Sequence, residues 1–422
     1  MAELDGLGDL LRPTAVADPF PDLAGIQAGD PVHWSVRHRA WLITSYKECA
    51  AAHTDPRLSS DRMTPMLRRL EERRASPQLI AMVSVLAAWM TFKDGEDHRR
   101  LRRLVNRAFT PRVVALMRDQ VAAIADALID DLPASGAVDL VPAFAYPLPA
   151  IVIAEMLGVP SEDRDRFKSW SSDISSLVFG AVDDPDRHDR AETGMTELVE
   201  YFEGLIEASA NHGDETLLDH LVRVRTEGDD ALSRRELLAM CTLLLFGGHE
   251  TTTNLLSSGI LALLQHPDQG ERLLADPALA ESAVEEFMRF DGPARISVRV
   301  AAEPLAIGAK SIATGDRVFL MLAAANRDPA RFERPDELDL GRSQNQQIGF
   351  GLGPHYCLGA PLARLEGQIA IPRLLERLPG LRIEAGAELH WRPTLLSRSL
   401  EALPARYDTV AARSSVGDLG GV

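Results

Sequence analysis

The chain has 422 residues, 45% of them hydrophobic and 25% charged, the balance of a soluble globular protein with room for a large core. Its formal net charge of −17 argues against a nucleic-acid binder, which would carry an excess of Lys and Arg. Three scattered cysteines, Cys49, Cys241 and Cys357, make no disulfide framework and suit a reducing compartment. Residues 1–11 are acidic with no basic flank, and no uncharged apolar run reaches about 18 residues. The expectation is a cytoplasmic protein with no signal peptide and no membrane span.

In chain order, residues 1–11 read as a frayed end. Pro31–Thr44 holds two alternating stretches, VHWSV and AWLIT, which predict a pair of strands. Asp94–Val105 reads as a helix on which His98 and Arg102, four apart, share one face. Arg112–Leu132, Ile151–Leu157 and Thr196–Ala210 carry apolar residues at three- and four-residue spacing and predict helices. Ser233-Arg234-Arg235-Glu236 fits a capping box, and the apolar run behind it continues to His266-Pro267. That helix would be about 50 Å long, enough to cross a whole domain. Its middle, Phe246 to Asn254, joins two glycines to three β-branched residues, a poor helix sequence that needs a reason. Ile296 to Leu322 returns to a β pattern around a Gly315-Asp316 turn, and Ala360–Leu378 is helical again. Residues 414–422 read as a second frayed end. Length alone favours two or three domains, but there is no repeat or low-complexity linker to separate them.

The most specific segment is Phe350-Gly351-Leu352-Gly353-Pro354-His355-Tyr356-Cys357-Leu358-Gly359. Cys357 precedes a helix start, where unpaired N–H groups favour an anion and should lower a thiol pKa. Gly351 and Gly353 allow backbone N–H groups to turn toward the sulfur, and Gly359 would admit a flat group close to the chain. A lone thiolate with no second ligand nearby is a poor zinc site, but it is a sound axial ligand for haem iron. The plainer reading is a structural cysteine in a glycine-rich loop. No CxxCH occurs, so a haem here would be held non-covalently.

This string resembles the haem-binding signature of the cytochrome P450 superfamily, F-x-x-G-x-x-x-C-x-G, at every fixed position. Gly247-Gly248-His249-Glu250-Thr251-Thr252 resembles the family's central-helix motif, and Glu286-Phe287-Met288-Arg289 its E-x-x-R. With Asn326-Arg327-Asp328-Pro329, these motifs stand in the family's order across nearly the whole chain, as in the bacterial soluble class. The resemblance implies a mainly α fold with a smaller β region: one P450-type domain over residues 1–422, its long central helix lying over haem b. It implies Cys357 as iron ligand, and His98, Arg102, Arg299 and His355 as partners of the haem propionates. Phe350, Gly351, Gly359 and Gly247 would frame the cofactor. Glu286 and Arg289 would form a structural ion pair. The family often supplies a basic third partner in a P-x-R-F-like string, whereas this chain reads Pro335-Asp336-Glu337-Leu338, which leaves the third partner unassigned.

By the same resemblance Thr251 and Glu250 are the catalytic pair, a hydroxyl to hold dioxygen and water and a carboxylate to feed protons inward. Gly247 and Gly248 would leave room for oxygen, and a loosened turn there would seat water. His249 is read as a polar neighbour. The activity implied is insertion of one atom of O2 into a hydrophobic small molecule, with electrons from a separate ferredoxin or flavodoxin and its reductase. Peroxide-driven oxidation, a reductive haem reaction, a non-catalytic haem protein and a haem-free helical protein stay open on the residues alone. The pocket would draw on Leu79–Met90, Leu86 in particular, with Leu243, Phe246, Ile296 and Leu400, and with Arg295 as a holder for a substrate carboxylate. Arg99, Arg100, Arg103, Arg107 and Arg112 form a basic island that would steer an acidic redox partner, or simply a solvated face.

Overall fold

The helix that begins after Ser233 organises the rest of the chain. Ser233 Oγ accepts from Glu236 N at 3.2 Å and Glu236 returns a bond from Ser233 N at 2.8 Å, so the capping box forms as read. The helix runs Arg234–Gln265, 32 residues, and Pro267 starts the next one. Most of its side chains are buried all round, which a helix enclosed by others requires. Pro77–Ala88, Pro147–Met156, Arg187–Ser209, Ala280–Asp291 and Ala360–Arg377 all pack against it. Two glycines set how close they come. A Cβ at Gly248 would stand 2.8 Å from Ile153 Cγ1, and one at Gly259 would stand 3.0 Å from Phe287 Cδ2 and 3.1 Å from Ile371 Cδ1.

The computed structural model describes residues 9–106, 109, 111–180, 186–209, 216–226 and 231–413. The two termini read as frayed (most of 1–11, and all of 414–422) and Arg107 lie outside the described residues. Among the described residues, no helix is long and apolar enough to cross a membrane. The segment Arg112–Leu132 is two helices, Pro111–Leu116 and Arg118–Asp130, broken at Met117. Ile151–Leu157 is the end of Pro147–Met156, and the pattern from Thr196 belongs to a longer helix, Arg187–Ser209.

Val32–Ser35 and Ala40–Ile43 form the expected hairpin, with Trp34 opposite Trp41. Ala40–Ile43 then pairs in parallel with Arg317–Met321, which pairs antiparallel with Ile296–Ala301; Leu58–Ser59 adds the last strand of this five-stranded sheet. The sheet separates two small cores. Leu42, Phe319 and Met321 pack on one face with Leu23 and Ile26, whereas Ile43, Val318 and Leu320 pack on the other. This is the period-two alternation of a strand with both faces covered. A three-stranded sheet of Gly136–Asp139, Pro404–Tyr407 and Arg382–Ile383 was not foreseen.

The crowded face of Gly259 gives a stability test. Gly259→Val should cost about 1–3 kcal/mol by overpacking between Phe287 and Ile371. Gly204→Ala, on an exposed helix position with nothing within 4 Å, should be neutral or stabilising by up to about 1 kcal/mol. Denaturant unfolding of the two variants reads the difference.

Candidate functional site

The site is built on a buried ionic knot behind it. Glu286 and Arg289, three apart on the helix Ala280–Asp291, pair through both carboxylate oxygens at 2.8 Å, and neither side chain is exposed. Arg342 is the third partner that the sequence reading left open. Its Nε donates to Glu286 at 3.1 and 3.2 Å, and its other nitrogens hold the carbonyls of Glu333, Arg334 and Glu337. Arg289 adds bonds to the carbonyls of Asn326, Pro335 and Glu337, and Asn345 and the Asp339 N–H complete Glu286. Asn326 carries the knot forward. Its Nδ2 donates to Met288 O and its Oδ1 accepts from Ile348 N at 2.8 Å, just ahead of the cysteine loop.

The loop itself follows the glycine logic in part. Gly351 and Gly353 have φ of +73° and +67°, the left-handed region, and Cys357 N donates to Phe350 O at 2.9 Å. Arg364 braces the loop from the next helix: it lies over the Phe350 ring, 4.5 Å from its centroid, bonds Tyr356 Oη, and pairs with Glu285. Cys357 lies deep in the fold but is open to a cavity. Burial pushes its thiol up, against the opposing pull of the Gly359 and Ala360 N–H groups and of Arg102 and Arg364. The helix start therefore acts on the sulfur as read, but burial outweighs it, and the expected lowering is not seen.

That cavity is about 330 Å³ and brings together most of the residues singled out in the sequence: His98, Arg102, Gly247, Thr251, Phe350, His355, Cys357 and Gly359. Nothing stands within 4 Å of a Cβ placed at Gly247 or Gly359, so both faces admit a bulky flat group. Gly351 is set back from the cavity lining and helps shape the turn. At one end His98 and His355 pack ring to ring, 4.1 Å between centroids, and His355 Nε2 lies 3.7 Å from Asp94. Burial pulls His98 down to about 4 and His53, beside Arg299 and His355, to about 3, so both rings are neutral at pH 7. Arg299 is buried behind this end, bonded to Ser297 Oγ at 2.8 Å and Val298 O at 2.9 Å, and does not line the cavity.

On the central helix, three side chains bond the carbonyl four residues back. Thr251 donates to Gly247 O at 3.0 Å, Thr252 to Gly248 O at 3.2 Å, and His249 Nδ1 lies 2.9 Å from Leu245 O. The helix stays continuous here, so the turn is bonded to side chains rather than broken. His249 is buried against Tyr146 and does not line the cavity. Gly248 meets Ile153, so its smallness serves helix packing as well as space. Glu250 and Thr251 open to different places. Thr251 lines the Cys357 cavity, whereas Glu250 lines a second cavity of about 250 Å³ with Ser175, Ser176, Ser397, Ser399 and Glu401.

Several pocket expectations need correcting. Leu243 lines the Cys357 cavity, with Met90, Leu244, Pro293 and Ala294. Leu86, Phe246, Ile296 and Leu400 do not: each is buried in packing elsewhere, Phe246 between Trp89 and Phe179 and Ile296 in the small core with Leu23. Arg295 also turns away, its guanidinium reaching toward the carbonyls of Thr394 and Ala15 at 3.4 and 3.5 Å. The basic island is partly engaged: Arg100 pairs with Glu236 of the capping box and Arg99 with Glu96. The side chain of Arg112, like Arg107, is outside the described residues.

Comparison with known proteins decides the family. Residues 81–379 match the family described as Cytochrome P450. The chain is 41% identical to a vitamin D(3) 25-hydroxylase of Pseudonocardia autotrophica over 96% of its own length and 97% of that protein. The chain belongs to the cytochrome P450 family. It is 40% identical to the P450 monooxygenase PikC of Streptomyces venezuelae, covering 93% of this chain and 91% of that one. The structure of the bacillaene polyketide synthase P450 PksS of Bacillus subtilis superposes with a TM-score of 0.85 at 36% identity, over 94% of this chain and 99% of that one. A mainly α P450 fold with a smaller β region is what the elements above compose. As a P450 the chain is a monooxygenase that carries haem b, inserts one atom of O2 into a small-molecule substrate, and draws electrons from separate redox proteins. The residues present fit that cofactor: an open sulfur, glycines with free space on two faces, and a cationic end suited to carboxylates.

The knot makes a prediction of its own. Arg342→Leu should cost about 3–5 kcal/mol, because Glu286 loses a buried charge partner while Arg289 alone must hold the meander. Arg342→Lys should fall between, since it keeps the charge and loses the fork. Thermal unfolding and the ratio of haem absorbance to protein absorbance check both.

Proposed function

We propose that the chain works as a single haem-thiolate unit over residues 1–422 that oxidises apolar small molecules, with Cys357 as the iron ligand. One observation carries this reading. The only cysteine that opens to a cavity, among the described residues, shares it with His98 and Arg102 at one end and Gly247 and Thr251 across it. Haem bound there supplies oxygen activation, to which electron donation from the sulfur contributes. Phe350 and Gly359 frame the cofactor, and His98, Arg102 and His355 meet its propionates with Arg299 behind them.

The chain's own residues then divide the proton work between two sides of one helix. Thr251 spends its hydroxyl hydrogen on Gly247 O, so its lone pairs face the cavity and can hold a proton or a water. Glu250 lies against the second cavity, whose rim includes the exposed Arg392 and Glu401, and can exchange protons there. The wall at Met90, Leu243, Leu244, Pro293 and Ala294 excludes water and selects apolar surface. Relatives named for vitamin D(3) and for a polyketide support a steroid-like, terpenoid or polyketide-derived substrate. We read the electron donor as a small ferredoxin or flavodoxin with its reductase, drawn by the exposed Arg99 and Arg103 on the helix bearing His98. Three free cysteines support a reducing, cytoplasmic setting.

Reduction under carbon monoxide should give the strongly red-shifted Soret band of thiolate ligation, and Cys357→Ser should abolish it. A wild-type protein that binds haem and shows a histidine-type band would overturn the assignment. With electrons supplied, Thr251→Ala should divert reducing equivalents into hydrogen peroxide. Glu250→Gln should slow product formation by about 10²-fold and enlarge the solvent isotope effect. Unchanged coupling and isotope effect in both variants would remove the relay.

A further inference from the structure

We propose that Arg62 is a further anchor for a haem propionate, one that balances the charge of the cofactor end. This rests on the haem reading above. Arg62 follows the short strand Leu58–Ser59 and is held there by Asp94, whose carboxylate clamps the segment. Asp94 accepts from Ser59 Oγ, from Ser60 N at 3.0 Å and from Asp61 N at 3.3 Å, and Arg62 N donates to Ser60 O at 3.0 Å. The guanidinium lies over the Phe92 ring, 4.9 Å from its centroid. Its Nε is buried without a hydrogen-bond partner, and no side-chain bond to Arg62 is seen among the described residues. Burial, with Arg299 close by, pulls Arg62 down to about 10. It is still charged at pH 7.

A half-buried guanidinium with its Nε out of reach of water, beside another guanidinium, is costly unless an anion joins them. The charges at this end show which anion fits. His53 and His98 are neutral, and both ring nitrogens of His53 are buried without partners. Positive charge comes from Arg62, Arg102 and Arg299. The acid coupled to Arg299 is Asp94, already engaged by Ser59, Ser60, Asp61 and His355. The guanidiniums thus outnumber the acid that faces them, and carboxylates are the anions that would answer the excess. Stacking on Phe92 alone would explain the position of the side chain but not its unpaired Nε or its placement beside Arg299.

The test uses the holoprotein. Ferric haem is transferred to excess apomyoglobin and followed by the Soret change, for wild type, Arg62→Met and Arg62→Lys. Arg62→Met keeps the apolar stem on Phe92 and should release haem about tenfold faster or more, with Arg62→Lys intermediate. Its ferric–ferrous midpoint should move negative, since a cation near the iron is lost. The comparison is repeated with holoprotein carrying the dimethyl ester of haem. Esterification should speed release from wild type much more than from Arg62→Met, because the variant has already lost the contact. An unchanged release rate in Arg62→Met, or an equal ester effect in both proteins, overturns the proposal. If Arg62→Met accumulates without haem, the release rate of Arg62→Lys and the ester effect in Arg62→Lys against wild type decide instead. Loss of the thiolate Soret band in wild type would sink the Cys357 reading. An unchanged release rate with that band intact sinks only this one.

Discussion

The cysteine loop reaches the cofactor cavity from chain that Glu286 holds in place. Its carboxylate, itself out of reach of water with Arg289 from its own helix, also gathers Arg342 and Asn345 from the meander and the Asp339 N–H. A buried ion pair is weak evidence for stability, because desolvation offsets much of its attraction. What it enforces is geometry. A loop of irregular backbone between Asn326 and Ile348 has few ladder bonds of its own, so its carbonyls must find donors elsewhere. The two arginine forks supply them to Asn326, Glu333, Arg334, Pro335 and Glu337. Once those carbonyls are fixed, Asn326 fixes Ile348 and Phe350 enters the cysteine loop at a set position. The neighbouring motif residues extend the clamp, Arg327 to Phe290 O and Asp328 to Tyr46 N.

The central helix shows a second compromise between stability and use. Two glycines and a run of threonines cost helix propensity in the stretch where the helix opens onto the cavity. Side-chain bonds from His249, Thr251 and Thr252 add second partners to carbonyls of a turn that stays helical. The two glycines divide the tasks. Gly247 leaves open space on the cavity side, whereas Gly248 lets the helix carrying Ile153 approach. Because neighbouring residues on a helix point about 100° apart, Glu250 and Thr251 reach opposite cavities while sharing one peptide bond. Adjacent side chains of one helix thus line a cavity rich in Ser and Glu on one side and the Cys357 cavity on the other.

What the sequence made legible was local. The capping box, the hairpin from Val32 to Ile43, the glycine turns of the cysteine loop and the Glu286–Arg289 spacing each depend on residues within a few positions of one another. What it hid depends on contacts across the chain. Arg342 lies 56 positions from Glu286 and sits in no helical register with it. The parallel pairing of Ala40–Ile43 with Arg317–Met321 has no signal in either strand. Leu86, Phe246, Ile296 and Leu400 are apolar, as pocket residues would be, but apolar character cannot separate a cavity wall from a filled core. The thiol of Cys357 illustrates a competition of magnitudes. The helix start was visible, but the depth of burial that outweighs it was not. Arg62 stands in a stretch with no motif, and only the neighbours that gather around it give it meaning.

Those neighbours bear on why the cofactor stays without a covalent bond. Burial, reinforced by neighbouring cations, strips the protons from His53 and His98, so they stay neutral without adding to the repulsion. Guanidiniums cannot respond that way at neutral pH, and they keep their charge in a place where it is poorly hydrated. The folded chain is therefore strained electrostatically at that end by an amount that two carboxylates relieve. A ligand that binds only the folded state, and that removes a repulsion the fold would otherwise carry, stabilises the fold by its own binding energy. Cofactor retention and fold stability are then one equilibrium. On the proposed assignment, a neutral macrocycle of the same shape would fill the cavity and satisfy the sulfur side yet leave the arginines unanswered, so selectivity for a dianionic haem would come from the cationic end and not from Cys357.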